Sequence, residues 1–300
     1  LAAGITIYAP AIILSTLLHW NLTLTNIFIG VLVIIYTVSG GTKAVTQTQK
    51  QQMAVMMGGM ILAGILVLNM LPEQIGLIDA MTIAGKMGKM NLINFEFDLD
   101  DRYNFWTGTT AALFLFLSYF GTDQSQVQRY LTGKSLSESR LGLIMNGLLK
   151  VPMQFIILFI GVLVFVFYQY NTPPVFFNKV ELEQLKKSEY KMSVIELEDR
   201  FSTLHEEKKR AIDLMISNQS KKVNDEILDQ KILDLEDEMM EVREDVKALV
   251  KSNNPTAEIN DKDYIFMSYV MDYLPHGIIG LLFAVMFSAA MSSTASELNA

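Results

Sequence analysis

The sequence predicts an all-α polytopic membrane protein of about six spans, interrupted by a helical hairpin that lies outside the cytoplasm. Three observations carry this. The 300 residues are 51% hydrophobic and 19% charged, with a mean hydropathy of +0.29, more apolar than an average soluble chain. The charges are segregated: of 32 acidic and 24 basic side chains, 21 and 15 lie between Asn171 and Lys262. Outside that segment, uncharged runs recur at the length of about 20 residues that a helix needs to cross a bilayer core. Residues 1–170 thus form a membrane domain of five spans, 171–262 a charged insertion, and 263–300 the membrane domain continued with a sixth span.

Leu1 to Thr42 contains no Asp, Glu, Lys or Arg, and the polar break from His19 to Asn26 divides it into a span over Ala2 to Leu18 and another over Ile27 to Ser39. Met53 to Leu71 is the third span, stopped by Pro72; Phe105 to Gly121 is the fourth, Val151 to Tyr170 the fifth and Tyr273 to Ser296 the sixth. Each is too long and too evenly apolar for an amphipathic surface helix. Orientation follows from basic residues, which gather in short cytoplasmic loops. Lys43, Lys50, Arg129, Lys134, Arg140 and Lys150 follow spans two and four, whereas the loop after span three holds three basic residues against six acids. Odd-numbered spans therefore run from inside to outside, which places the insertion after span five outside the cytoplasm. Nothing like a secretory leader follows Leu1, so the sequence reads as a piece of a longer chain.

Within the insertion Leu228, Ile232, Leu235, Met239, Val242, Val246 and Leu249 recur at four-three spacing, the pattern of a helix packed on another helix. Leu197, Phe201, Leu204, Ala211 and Met215 repeat it with one gap at Lys208, and the polar Ser217 to Ser220 between the two sets reads as a turn. An antiparallel, coiled-coil-like hairpin follows. It suits a solvated appendage, or a docking surface for a partner that the sequence does not identify. Asn21-Leu22-Thr23 and Asn218-Gln219-Ser220 are glycosylation-type triplets on the outer face.

Much chemistry is excluded. A net charge of −8 argues against nucleic acid, and zero cysteines remove disulfides, thiolate metal sites and thiol nucleophiles. His19, His205 and His276 form no zinc-ligand pattern, no Gly-x-Ser-x-Gly elbow is present, and Thr132-Gly133-Lys134-Ser135 lacks the upstream glycine of a phosphate loop. The chain is not expected to be an enzyme. What remains are polar residues inside apolar helices, each of which must find a partner. In span six the Ala289 carbonyl and the Ser292 and Ser293 hydroxyls share one helical face, and neutral oxygens suit a hard cation of low charge. The alternative is close helix packing by small residues, with the serines bonded back to carbonyls four residues earlier. Tyr119 stands where span four approaches the cytoplasm, and Gly40-Gly41 with the amide-rich Gln47 to Gln52 makes an unusually polar entry to span three.

Tyr36 to Val45, Thr122 to Leu131 and Gly280 to Ala284 continuing through Met291-Ser292-Ser293 resemble, in order, motifs of the sodium/solute symporter family of the sodium–glucose and sodium–iodide cotransporters. The resemblance covers most of 27–150 and 263–300 and implies a LeuT-like bundle of two inverted five-helix repeats, with these spans as core helices three to eight. It also implies that Ala289, Ser292 and Ser293 are ligands of a shared sodium site and that Tyr119 is an inner-gate tyrosine below the solute. By the same resemblance Phe116 and Phe120 line the pocket, and Gln49 and Ser296 stand at a possible second ion site. Gln49 replaces an expected Asp and Ala295 an expected hydroxyl, so one sodium per solute is expected. The broken first helix and helices nine and ten of such a fold have no counterpart in these residues. The implied activity is sodium-coupled symport of a small organic solute such as a sugar or carboxylate across the plasma or inner membrane, with sodium as the coupling ion and lipid as the surround. A transporter-like sensor or scaffold that binds a solute without accumulating it is the rival reading.

Overall fold

The computed structural model describes residues 11, 14, 21–90, 94–98, 104–124, 126–127, 135–220, 226–262 and 264–298. The first expected span lies outside these apart from residues 11 and 14, both helical. The named elements are all helices: α1 (Leu22–Met70), α2 (Leu77–Lys86), α3 (Phe105–Gly121), α4 (Leu136–Tyr170), α5 (Lys179–Leu185), α6 (Lys191–Ser220), α7 (Glu226–Asn253), α8 (Tyr264–Tyr273) and α9 (His276–Leu298). They divide between two compact units, one of residues 1–61, 92–157 and 275–300 and another of 62–91 and 158–274. The insertion therefore packs as one body with the end of α1, with α2 and with the last turns of α4.

In the first unit, the polar stretch expected to separate spans two and three does not interrupt the backbone. α1 is continuous over 49 residues, about 74 Å at 1.5 Å per residue and more than twice a bilayer core. The reason is compositional: residues 43–52 are rich in Gln and Lys, both good helix formers, no proline occurs, and each of Gly40 and Gly41 costs only about 1 kcal/mol. Spans two and three are separated by polarity, not by a turn. Gln49–Met70 and Leu136–Tyr170 are long and apolar enough to cross a membrane, while Thr23–Ile35 and His276–Ala289 are shorter apolar stretches.

α3 coincides with the fourth expected span, its start capped by the Asn104 side chain, which accepts from the Thr107 amide at 2.8 Å. Leu113, Phe114, Leu115, Phe116 and Leu117 are each more than half exposed. Five successive residues point in every direction around a helix, so α3 is apolar on all sides, a surface suited to lipid or further apolar helices and not to water. The sixth expected span begins three residues late. Pro275 has no N–H to continue α8, and α9 starts anew at His276.

In the second unit α6 and α7 form the expected hairpin around Phe201, Met239, Val242, Val246 and Val250, with Leu182 and Leu185 of α5 in the same core. The turn expected at Ser217 to Ser220 is helical instead, because polar residues cost a helix a few tenths of a kcal/mol each while burial of Ile212 and Met215 returns about 1.5–3 apiece. The connection falls in 221–225, outside the described residues. The gap in the heptads is filled by Lys208, whose side chain is 3% exposed and whose Nζ lies 2.6 Å from Glu236 Oε2. Burial pulls its amine below the ordinary value, and the Glu236 carboxylate pulls the other way. At the base, buried Asp261 accepts from Arg243 Nη2 at 2.6 Å and from the Phe177 amide at 2.8 Å. Arg243 also lies over the Phe177 ring, 5.2 Å from its centre.

Lys208→Ala should destabilise the hairpin by about 1–3 kcal/mol, because Glu236 loses its partner while staying partly hydrated. Lys208→Met with Glu236→Gln should recover most of that, read as the unfolding midpoint of the full-length protein.

Candidate functional site

Helix α9 carries Ser288, Ala289 and Ser292 within little more than one turn, and α1 meets them with Gln52, only 8% exposed. The Gln52 carboxamide sits between two hydroxyls one turn apart. Its Nε2 donates to Ser288 Oγ at 2.5 Å, and its Oε1 accepts from Ser292 Oγ at 2.9 Å. The Ser292 hydroxyl also lies 3.0 Å from the Ala289 carbonyl. The back-bond thus runs to the carbonyl three residues earlier, not four, which draws Ala289 O, Ser292 Oγ and Gln52 Oε1 together as a group of neutral oxygens. Near them, a Cβ built on Gly59 would come within 2.7 Å of Leu282 Cδ2, so α1 and α9 approach closely one to two turns away. Ser292 itself is 2% exposed.

Neutral carbonyl, amide and hydroxyl oxygens are the donor set of a hard monovalent cation, with no carboxylate to hold it too firmly. The hydroxyl proton of Ser292 now faces these oxygens; a cation among them would turn that proton away and use the oxygen lone pairs. Of the expected set, Ala289 O and Ser292 Oγ lie 3.0 Å apart. The side chains of Ser293 and Ser296 lie outside the described residues. Gln49 is half-buried on the same face of α1, one turn before Gln52. Sequence reasoning passed over Gln52 and Ser288. The amide run Gln47 to Gln52 marked the region, but only the packing of α1 on α9 selects one glutamine from it.

The aromatic group gathers on α3. Phe116 and Phe120 have ring centres 5.9 Å apart, and Tyr119 packs edge-on to Phe120 at 5.1 Å. Lys150 Nζ of α4 lies 6.0 Å from the centre of the Tyr119 ring, on the side that the charge pattern assigns to the cytoplasm. Phe116 is 53% exposed, an apolar surface and not yet a closed wall.

Apolar helices that bury a small knot of neutral oxygens are the pattern of a helical membrane protein with a polar contact inside it. Residues 1–191 match the model of the sodium:solute symporter family, and the chain belongs to that family. It is 34% identical to the human sodium/iodide cotransporter over 172 residues, 56% of this chain and 26% of that protein. It is 33% identical to human sodium-coupled monocarboxylate transporter 1 over 146 residues, 49% of this chain and 23% of that one. The sodium-dependent multivitamin transporter of Oryctolagus cuniculus is 32% identical over 170 residues, 55% and 26% of the respective chains. The chain thus spans about a quarter of the length of these curated relatives. No solved structure matches it at a significant level.

Gln52→Leu should lower the stability of the full-length protein by about 1–3 kcal/mol, since buried Ser292 and half-buried Ser288 each lose a partner. A thermal unfolding midpoint equal to wild type would mean that the carboxamide does not tie α1 to α9.

Proposed function

We propose that the intact protein is a sodium-coupled symporter that moves a small organic solute across the plasma or inner membrane by alternating access, within a LeuT-like fold. The observation that carries this reading is the meeting of Ala289 O, Ser292 Oγ and Gln52 Oε1 in the helix that the family resemblance assigns to sodium. In this reading Ala289, Ser292, Ser293 and Gln52 hold the ion, Tyr119 closes the inner side of the pocket, and Phe116 and Phe120 contribute apolar wall. Sodium acts by binding one state of the protein more tightly than the other, since an ion of equal affinity for both would shift nothing. Gln52 joins α1 to α9, so the ion site reports whether those two helices are in contact, which is what couples occupancy to conformation. The names of the relatives, which pair sodium with iodide, monocarboxylates or vitamins, support a small solute without selecting one.

At about 100 mV and a tenfold sodium gradient, one ion supplies roughly 3.7 kcal/mol, enough to concentrate a neutral solute about 500-fold. One sodium per solute is proposed, because Gln49 offers an amide where a second site would want a carboxylate. The loop that carries the insertion faces outward in this topology.

Uptake by the full-length protein in sealed proteoliposomes, screened over labelled solutes with and without an inward sodium gradient, tests the reading. Accumulation should require sodium with a coupling ratio of one, and Ser292→Ala and Ser293→Ala should each raise the sodium concentration for half-maximal uptake by about tenfold or more, the worth of one lost ligand at about 1.4 kcal/mol. A ratio of two would return Gln49 and Ser296 to an ion site. Binding without accumulation would instead favour the sensor.

A further inference from the structure

The hairpin grips its neighbours at two places. Midway along α6, His205, with no exposed surface, sets Nε2 2.9 Å from the Tyr168 carbonyl in the last turn of α4, and Nδ1 3.3 Å from the Thr172 hydroxyl. A carbonyl can only accept, so Nε2 carries the hydrogen and bare Nδ1 accepts from Thr172; the imidazole is neutral in this arrangement. At its tip, Gln219 Nε2 donates to Thr82 Oγ1 at 3.3 Å and Lys86 pairs with Asp229, so both helices of the hairpin reach α2. α2 begins at Leu77, seven residues after α1 ends at Met70. One rigid pair of helices thus connects the segment just after α1 with the end of α4, where α1 and α4 themselves pack closely: a Cβ on Gly64 would lie 3.1 Å from Ile160 Cγ1.

We propose that the hairpin is a strap fastening the outer ends of α1 and α4 together, and that protonation of His205 from the extracytoplasmic side loosens it. The inference rests on the topology proposed above for the insertion but not on sodium coupling. A second proton would take away the Nδ1 acceptor used by Thr172 and place a cation on a side chain with no exposed surface. The charged groups around the ring make this worse on balance. On its own helix stand Lys208 and Lys209 against Glu206. Glu236 of α7 is engaged by Lys208, and Lys89, from the segment after α2, adds its positive charge near Lys208. Residues 168–172 bring phenols, amides and a hydroxyl, and the carboxylates Asp79 and Asp213 bear on Tyr170. Burial holds the imidazole below its ordinary value, and the pull of the Tyr168 carbonyl in the other direction does not overcome it. The sign follows: above an ordinary imidazole pKa of about 6.5 the site costs nothing, and as pH falls below it the released hairpin takes up a proton that the docked one refuses. Acid therefore favours release.

Hydrogen exchange of the full-length protein in lipid nanodiscs, compared at pH 7.5 and 5.5 after correction for intrinsic rates, tests this without reference to transport. Peptides of α6 and α2 should exchange at least about tenfold faster at the lower pH in wild type. In His205→Gln, which keeps a neutral donor for Tyr168, that acid response should vanish. Thr172→Val, which leaves His205 in place but removes its hydroxyl partner, should also diminish the response and serves if the glutamine variant does not fold. Exchange in wild type indifferent to pH, or an acid response undiminished in His205→Gln and Thr172→Val, would overturn the strap.

Discussion

The hydrogen bond between Ser292 and Gln52 constrains much of the first unit. In an apolar surround, a carboxamide or hydroxyl left alone costs several kcal/mol, so α1 and α9 are not free to slide past one another once each carries its half of the bond. The polar contact fixes the register, and the missing side chain of Gly59 lets the backbones close on it with Leu282 alongside. A shift of α9 by one residue would turn Ser288 and Ser292 away, and in one direction it would bring Phe287 and Met291 into their places beside Gln52. The same groups that a cation would use as ligands are therefore the ones that align the helices when they bond to each other. Helix alignment and the proposed ion binding draw on a single set of oxygens.

The second unit obeys the rules of water. Its hairpin is held by a heptad core and by ion pairs, two of which, Lys208 to Glu236 and Arg243 to Asp261, are largely removed from solvent. A lysine in a heptad core position gives up hydrophobic burial, yet its pairing with Glu236 favours the observed alignment of α6 on α7 over the one that would set it against Arg243, one heptad further on. Both units thus use a buried polar contact to choose among alignments that apolar packing alone would leave nearly equal. In one the contact is neutral, as a low-dielectric surround favours; in the other it is charged, as partial hydration of Glu236 permits.

How much of this is legible in the sequence depends on whether the signal is periodic. The hairpin follows from repeats of four and three, and even Lys208 shows as a gap, although its partner does not. α3 is bounded correctly because Asn104 caps it and apolar residues fill it. The join within α1 is not legible: charge and amide content say boundary, while helix propensity says continue, and propensity prevails where no proline intervenes. Gln52 escapes for a different reason. Among Gln47, Gln49, Gln51 and Gln52 the sequence offers equivalent amides, and the one facing Ser292 is chosen by tertiary packing that no local pattern encodes. α5, seven residues capped by Asn178, is too short for periodicity to register.

The tie between Asp261 and the Phe177 amide has a consequence for lineage. Eighty-four residues leave the membrane-proximal chain and come back to within one hydrogen bond of where they left. A detour that returns to its own doorway is invisible to the path on either side: heptads can be gained or lost between the two points without altering where the flanking helices begin and end, and the entropy of closing the detour grows only with the logarithm of its length. Such an annex is cheap to acquire and cheap to resize. A chain bearing one can vary this annex over generations while the flanking helices stay where they were.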